Sequence, residues 1–352
     1  MVVNHDSLPV SRLTPKDRRD DYDVTNTVKV SSINQVRAAV GRLFRAAYPN
    51  ASFDLGWMAF HDFRLLFEGR MPGYQGCDTV YHDRQHTLDV TLAMARLIAG
   101  HERSVPVPDR LGEYRATVGL ITALLHDSGY ILETTDTAHQ NGAEYTLSHV
   151  SRSAAYLRDY LPKIGLAQAV PIATEIVHFT GYEKSLDEIE LDDPKDSLIG
   201  HLLGTADLIA QMADRCYLEK CRDRLYCEFV LAGIAISDQG DGFKLVRYQS
   251  GVDLLRQTPA FYRDTALRRL DGYFSGAYRY IEALYNGRNP YMEVIDRNLR
   301  YLEHIIEIGE WPELRRNPPC FTVKDSAVSA TNVLVNSYLN NIRNSPVVLG
   351  KA

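Results

Sequence analysis

The sequence predicts an all-α protein, and three observations carry that reading. Apolar residues recur at intervals of three and four along most of the chain, which is the period of an amphipathic helix. No stretch alternates apolar and polar residues convincingly at period two, as a half-buried strand would. With 45% hydrophobic and 24% charged residues the composition is that of an ordinary globular chain, and no compositional shift or internal repeat marks a second domain.

The elements follow in order. Residues 1 to about 30 are polar, charged and unpatterned, and are expected as an extension that is poorly ordered or draped on the surface. The helical pattern opens with "INQVRAAVGRLFRAAY". In "TVYHDRQHTLDV" His82 and His86 stand four apart and Asp89 three further on; if the segment is helical, the three share a face while Val90, Leu92, Ala93 and Leu97 feed a core. "DRLGEYRATVGLITALLHD" begins with Asp109 as a helix N-cap after Pro108 and ends on the pair His126 and Asp127. Helices are then read in "GAEYTLSHVSRSAAYLRDYL", in "LAQAVPIATEIVHFTG" with Gly181 at its end, and in "DSLIGHLLGTADLIAQMAD". The pattern continues through "CYLEKCRDRLYCEFVLAGIAI", "DTALRRLDGYFSGAYRYIEALY" and "MEVIDRNLRYLEHIIEIG". Residues 31–315 are thus read as one helical domain, and 316–352, rich in Asn, Ser and Pro, as a tail like the N-terminal one.

The bulk properties exclude several function classes. A net charge of -6 over 352 residues argues against an extended electrostatic grip on nucleic acid or anionic lipid, though a local basic pocket for one anionic small molecule is allowed. No apolar run is long enough to span a membrane, and the first residues lack the apolar core of a secretory signal. The expectation is a soluble, cytoplasmic protein with no membrane partner. Cys77, Cys216, Cys221, Cys227 and Cys320 form an odd set with no C-x-x-C pair, which suggests reduced thiols and no thiolate zinc site.

Chemistry concentrates in a series of His and Asp residues. Each taken alone has an ordinary reading: a solvated helix face for His82 and His86, a turn-capping Asp127 beside His126, hydrogen-bonded core histidines for His149 and His178. The order changes the weight. His86, His126 with Asp127, His149, His178 and Asp207 come from successive helical segments, each about one helix plus a connection apart. A carboxylate buried beside imidazoles is costly unless a positive group pairs with it, and a divalent cation would do so.

This order, H…HD…H…H…D, resembles the HD-domain superfamily of metal-dependent phosphohydrolases. "YHDRQHTLDV" is similar to a signature of class I cyclic-nucleotide phosphodiesterases, with Asp83 where Asn is usual, and "HVSRSAAYL", "VHFTGY" and "ADLIAQMADRCY" look like the matching parts of HD-GYP phosphodiesterases. The resemblance covers about residues 79 to 220. It implies an HD-type helical bundle with additional C-terminal helices, in which His86, His126, Asp127 and Asp207 hold one metal and Asp127 bridges to a second held by His149 and His178. It further implies that His82 is the proton donor. Ser128, Gly129 and Tyr130 depart from both patterns, standing where a further histidine or a lysine is usual; this bears on cyclic di-GMP as substrate and on a third metal, and leaves the binuclear core.

Two divalent ions a few ångströms apart can acidify a bridging water and clamp phosphoryl oxygens; the ligands do not choose among Mn, Fe, Zn and Mg. Asp89 is read as support for His86. Arg215, eight residues after Asp207, is a candidate phosphate fork, with Lys184 a weaker one. His139 competes with His149 as ligand, and the helical pattern around His149 favours it. The function so implied is a metal-dependent phosphodiesterase or phosphohydrolase acting on a small nucleotide-like phosphoester. The alternatives are a nucleotide phosphomonoesterase or pyrophosphohydrolase, or a di-iron oxygenase on the same ligands. Tyr217, Tyr226, Phe229, Phe243 and Tyr248 can stack a base or fill a core. The C-terminal helices offer apolar faces for pairing, so a homodimer stays open.

Overall fold

A computed structural model describes residues 18–238, 243–344 and 348–350. The chain is 66% helical and 3% strand, so the all-α class is correct. The described residues form twelve α-helices: α1 Ile33–Ala47, α2 Asp54–Phe67, α3 Arg84–Ser104, α4 Glu113–Leu125, α5 His149–Tyr160, α6 Val170–Ile176, α7 Pro194–Met212, α8 Tyr217–Lys220, α9 Tyr226–Leu231, α10 Gly251–Phe261, α11 Pro290–Ile308 and α12 Ala327–Asn344. Three short strands, β1 Ile236–Asp238, β2 Phe243–Val246 and β3 Val348–Gly350, form a small sheet in that order. β1 pairs antiparallel with β2, Ile236 opposite Val246, and β3 lies parallel on the other side of β2. Strands of three or four residues are too short for alternation to show in the sequence.

The centre of the fold is α3, which packs against α1, α4, α7 and the 3-10 helix Ala277–Leu284. Every residue from Gln85 to Glu102 is buried. A helix covered on all sides is usually apolar all round, but this one carries Asp89, Arg96, His101 and Glu102. Each must therefore find its partner inside the protein. At Gly100 a Cβ would lie 2.0 Å from the Tyr280 carbonyl oxygen, so the close crossing of α3 and the 3-10 helix requires glycine there.

The expectation for residues 1–30 holds only in part: residues 1–17 lie outside the described residues, and the segment 18–32 is anchored in the fold, with Val28 and Val30 buried and Asp23 at 0% exposure. Asp23 Oδ1 accepts the amides of Thr27 and Val28 at 2.9 and 2.7 Å. Its Oδ2 accepts the Thr25 hydroxyl and the Arg96 guanidinium, both at 2.5 Å. Arg96 also donates to the Tyr291 hydroxyl at 2.7 Å. One buried ion pair thus ties the N-terminal turn, α3 and α11 together.

The C-terminal segment is docked as well. Arg224 donates to the carbonyls of Pro318 and Pro319, the Phe321 amide donates to Asp83 Oδ2 at 2.9 Å, and the Val323 amide donates to the Cys77 carbonyl at 2.9 Å. Beyond these contacts α12 packs on α9. Two further details differ from the sequence reading. Helix α4 starts at Glu113 after Gly112, and Asp109 sits in a separate 3-10 turn. Helix α2, whose sequence "DLGWMAFHDFRLLF" is apolar on more than one side, has no counterpart in the sequence reading. The five cysteines are free thiols, and no described helix is long and apolar enough to cross a membrane.

Candidate metal centre

The centre is built from the start of α3, the end of α4 and the middle of α7. Asp83 caps α3, its Oδ1 accepting the amides of Gln85 and His86 at 2.9 and 3.2 Å. His82 therefore precedes the cap, and the shared-face argument does not apply to it. His126 closes α4, and Asp127 follows in a non-helical conformation before a 3-10 turn, Ser128–Tyr130. That break lets two adjacent side chains turn inward, which a continuing helix would keep about 100° apart.

His86 Nε2 lies 3.3 Å from Asp207 Oδ1 and 3.5 Å from Asp127 Oδ2. His126 Nε2 lies 3.3 Å from Asp127 Oδ2 and 3.9 Å from Asp207 Oδ1. Ligand atoms of His86, His126 and Asp127 all fall within 4.8 Å of one another. His126 Nδ1 sits 2.8 Å from the Ala123 carbonyl. A carbonyl only accepts, so Nδ1 carries the proton and Nε2 turns to the cluster, an arrangement common to metal-binding histidines. His126 Nε2 and Asp127 Oδ2 are buried without a hydrogen-bond partner. Buried polar atoms are rarely left unmatched, and a divalent cation fits these imidazole and carboxylate donors.

Electrostatics point the same way. Burial opposes a charge on His86, but the facing Asp207 and Asp127 carboxylates push it up to about 9. Burial would raise Asp127, yet His126 and the other surrounding imidazoles bring it down to about 2. Asp127 thus stays ionised in a closed space, held by imidazolium charge that a bound cation would replace.

The remaining candidates divide. His149 reaches the edge of the cluster, Nε2 4.0 Å from Asp127 Oδ1, with Nδ1 on the Thr146 carbonyl at 2.7 Å. His178 lies in the 3-10 turn Val177–Thr180; among the described residues no carboxylate oxygen comes within ion-pair distance of it, and it does not line the cavity described below. Arg215 pairs with Asp20 at 2.8 Å and Lys184 with Glu175 at 2.6 Å, and neither lines that cavity. His139 pairs with Asp136 in its loop. Asp89 stands on the other side of His86, where burial and Asp214 raise it to about 7. It shares a void of about 10 Å³ with His86.

Three residues complete the site that sequence reasoning did not find. Glu228, on α9 and fully buried, lies 2.6 Å from His82 Nδ1 and accepts the Tyr81 amide at 2.6 Å. Burial works against a charge on His82, but the Glu228 carboxylate outweighs it and raises its pKa. Glu183 caps α5 by accepting the amides of Val150 and Ser151, and its Oε1 is 3.8 Å from His149 Nδ1. Tyr130 stacks against both His82 and His149, ring centroids 4.5 and 4.3 Å away and planes within 20°, while the two imidazoles lie 6.2 Å from each other. One aromatic ring thus supports both imidazoles. None of these has a local signal: an acid on a short helix or an aromatic after a turn reads as a surface or core residue until its partners are seen.

Gly129 permits the packing that brings His149 close. A Cβ there would lie 1.9 Å from the His149 carbonyl oxygen. Gly129→Ala is expected to push the start of α5 away from Asp127, weakening metal retention by about 10-fold or more, which elemental analysis after dialysis would read. Unchanged retention would mean that α5 does not set the centre.

A cavity of about 360 Å³ opens from this cluster, within the usual size of small-molecule sites. His82, His86, Asp127, Tyr130, His149 and Asp207 form one side of it, and side chains from α9, α10 and the residues between them form the other. Tyr217, Phe229 and Tyr248 line it, whereas the Tyr226 hydroxyl donates to the Gln249 carbonyl. The Phe243 side chain lies outside the described residues. Among the described residues, Arg247 is the one Arg or Lys side chain on the cavity wall. Comparison with protein-family models, with curated proteins and with solved structures finds no match.

Proposed function

We propose that the protein is a metal-dependent hydrolase that cleaves phosphodiesters of small molecules. The observation that supports it most is the convergence of His86, His126, Asp127 and Asp207, with His126 Nε2 and Asp127 Oδ2 buried side by side without a hydrogen bond, on a cavity that His82 also lines. In this reading these four residues hold a divalent ion. Such an ion supplies an acidified water and neutralises charge on phosphoryl oxygens. Asp127 Oδ1 and His149 Nε2, 4.0 Å apart, are the donors for the second ion implied by the ligand order, and His178 would have to reorient to join them.

The chain's own residues do the rest. His82, fixed through Nδ1 by Glu228, presents its other nitrogen to the cavity and gives a proton to the departing oxygen. Tyr130 keeps that ring aligned. Arg247, whose guanidinium has no hydrogen bond or ion pair among the described residues, brings the positive charge that attracts an anion to the cavity. His82→Asn is expected to slow cleavage of alkyl esters by about 10²–10⁴-fold and of p-nitrophenyl esters far less, because p-nitrophenolate leaves without a proton. Equal losses on both would remove His82 from the acid role.

The test of the reading itself is hydrolysis of bis-p-nitrophenyl phosphate by protein reconstituted with Mn, Fe, Zn or Mg in turn, beside chelated protein. Turnover that appears with metal and vanishes with chelation supports it. Protein that binds no metal in any of these conditions would overturn it.

A further inference from the structure

We infer that the part of the substrate beyond its phosphate is an apolar alkyl or aryl group and not a nucleobase. The inference rests on the phosphoester reading for where the phosphate lies, but the apolar wall stands independently of it. That wall is made by Leu225, Phe229, Ile234, Tyr248, Leu254 and Phe261, with Phe229 and Tyr248 in an offset stack 5.9 Å between centroids.

Several polar groups that line the cavity are engaged within the protein, while the Arg247 guanidinium stays available to an anion. Gln257 Nε2 donates to the Arg247 carbonyl at 3.2 Å, the Thr258 hydroxyl to the Leu254 carbonyl at 3.0 Å, and Gln211 Oε1 accepts the Tyr81 hydroxyl at 3.2 Å. A base held in a pocket is read by hydrogen bonds to its edge as well as by stacking. Here three groups that could read such an edge, Gln257 Nε2, the Thr258 hydroxyl and Gln211 Oε1, are already bonded within the protein.

The opening of the cavity adds a second observation. Leu147, Tyr182 and Phe261 line it and remain 67%, 60% and 37% exposed. Apolar surface gathered at one opening marks a binding site for apolar matter. Tyr182 is also held in place: Arg269 lies over its ring at 3.8 Å and donates to the Gly181 carbonyl at 2.7 Å. An exposed ring fixed at a cavity rim is a surface prepared for contact.

The test is calorimetric titration of the metal-loaded protein with n-alkylphosphonates from methyl to octyl, which cannot be hydrolysed at the carbon–phosphorus bond, and with adenosine monophosphate. Kd should fall about fourfold per methylene until the cavity is filled, and the nucleotide should bind more weakly than octylphosphonate. Phe261→Ser, a change at a partly exposed position, should weaken octylphosphonate binding by about 10-fold. A flat chain-length series, no binding of any phosphonate, or a nucleotide that outcompetes octylphosphonate would overturn the inference. Hydrolysis of bis-p-nitrophenyl phosphate alongside a flat series would overturn it alone, whereas a steep series without any hydrolysis would overturn the hydrolase reading and leave the apolar site standing.

Discussion

On the hydrolase reading proposed above, Asp127→Ala is expected to abolish retention of a divalent ion and to lower phosphodiester hydrolysis by about 10³-fold or more, a loss of several kcal/mol of transition-state stabilisation. Asp127 lies within 3.3 Å of His126 Nε2, 3.5 Å of His86 Nε2 and 4.0 Å of His149 Nε2, so no other residue touches as much of the centre. Its removal leaves His86 and His126 facing Asp207 alone and takes from His149 its carboxylate in the cluster. The fold should tolerate the change, because α4 ends before Asp127 and its helical hydrogen bonds do not involve that side chain. Metal content by elemental analysis, with circular dichroism as the control for folding, separates the cases. A well-folded variant that keeps its metal and its rate would mean that Asp127 is a turn residue only.

The largest effect on stability is expected away from the centre, at Asp23. Removing one member of a buried ion pair leaves the other charged and unmatched, at a cost of about 3–5 kcal/mol. Asp23→Ala should therefore lower the denaturant midpoint sharply at neutral pH. Replacing Arg96 by Met as well should recover only part of the loss, because the Thr27 and Val28 amides still lose their acceptor. The pH dependence follows from the direction of the shift. Burial alone would raise the Asp23 carboxyl, but the Arg96 guanidinium, the Thr25 hydroxyl and the Val28 amide hold it below its ordinary value. Its contribution is then complete above the ordinary carboxylate pKa of about 3.9 and is lost as pH falls through the lower folded value. The gap between wild type and variant should be widest at neutral pH and close in strong acid. A constant gap would place the effect in packing and not in charge.

What the sequence made legible followed period and order. The 3–4 repeat located α1, α3, α4, α7 and α11, and the chain order of His86, His126, Asp127 and Asp207 singled out four side chains that the fold does bring together. What it hid has physical reasons. Arg215 pairs with Asp20, a residue 195 positions away, and no local pattern announces that partner. The apolar pattern runs through His178 as one helix, but α6 stops at Ile176 and His178 falls in the tighter 3-10 turn that follows, off the cavity wall. Glu228 is 146 residues from His82, and no local pattern announces a contact of that length. Polar composition suggested that residues 18–30 would lie loose, yet Asp23 accepts so many hydrogen bonds that a polar turn becomes core.

The Phe321 amide on Asp83 has a consequence for how the protein is made. Asp83 caps the helix that carries His86, and its second oxygen is satisfied by a residue 238 positions later. During synthesis at about 5–20 residues per second, α3 must wait with one side of its cap open until residue 321 has left the ribosome. Glu228, which holds His82, likewise emerges long after its histidine. The proposed ligands are therefore translated before the cap is complete, and a nascent chain released before residue 321 would carry every proposed ligand of the first ion without the Phe321 amide on Asp83.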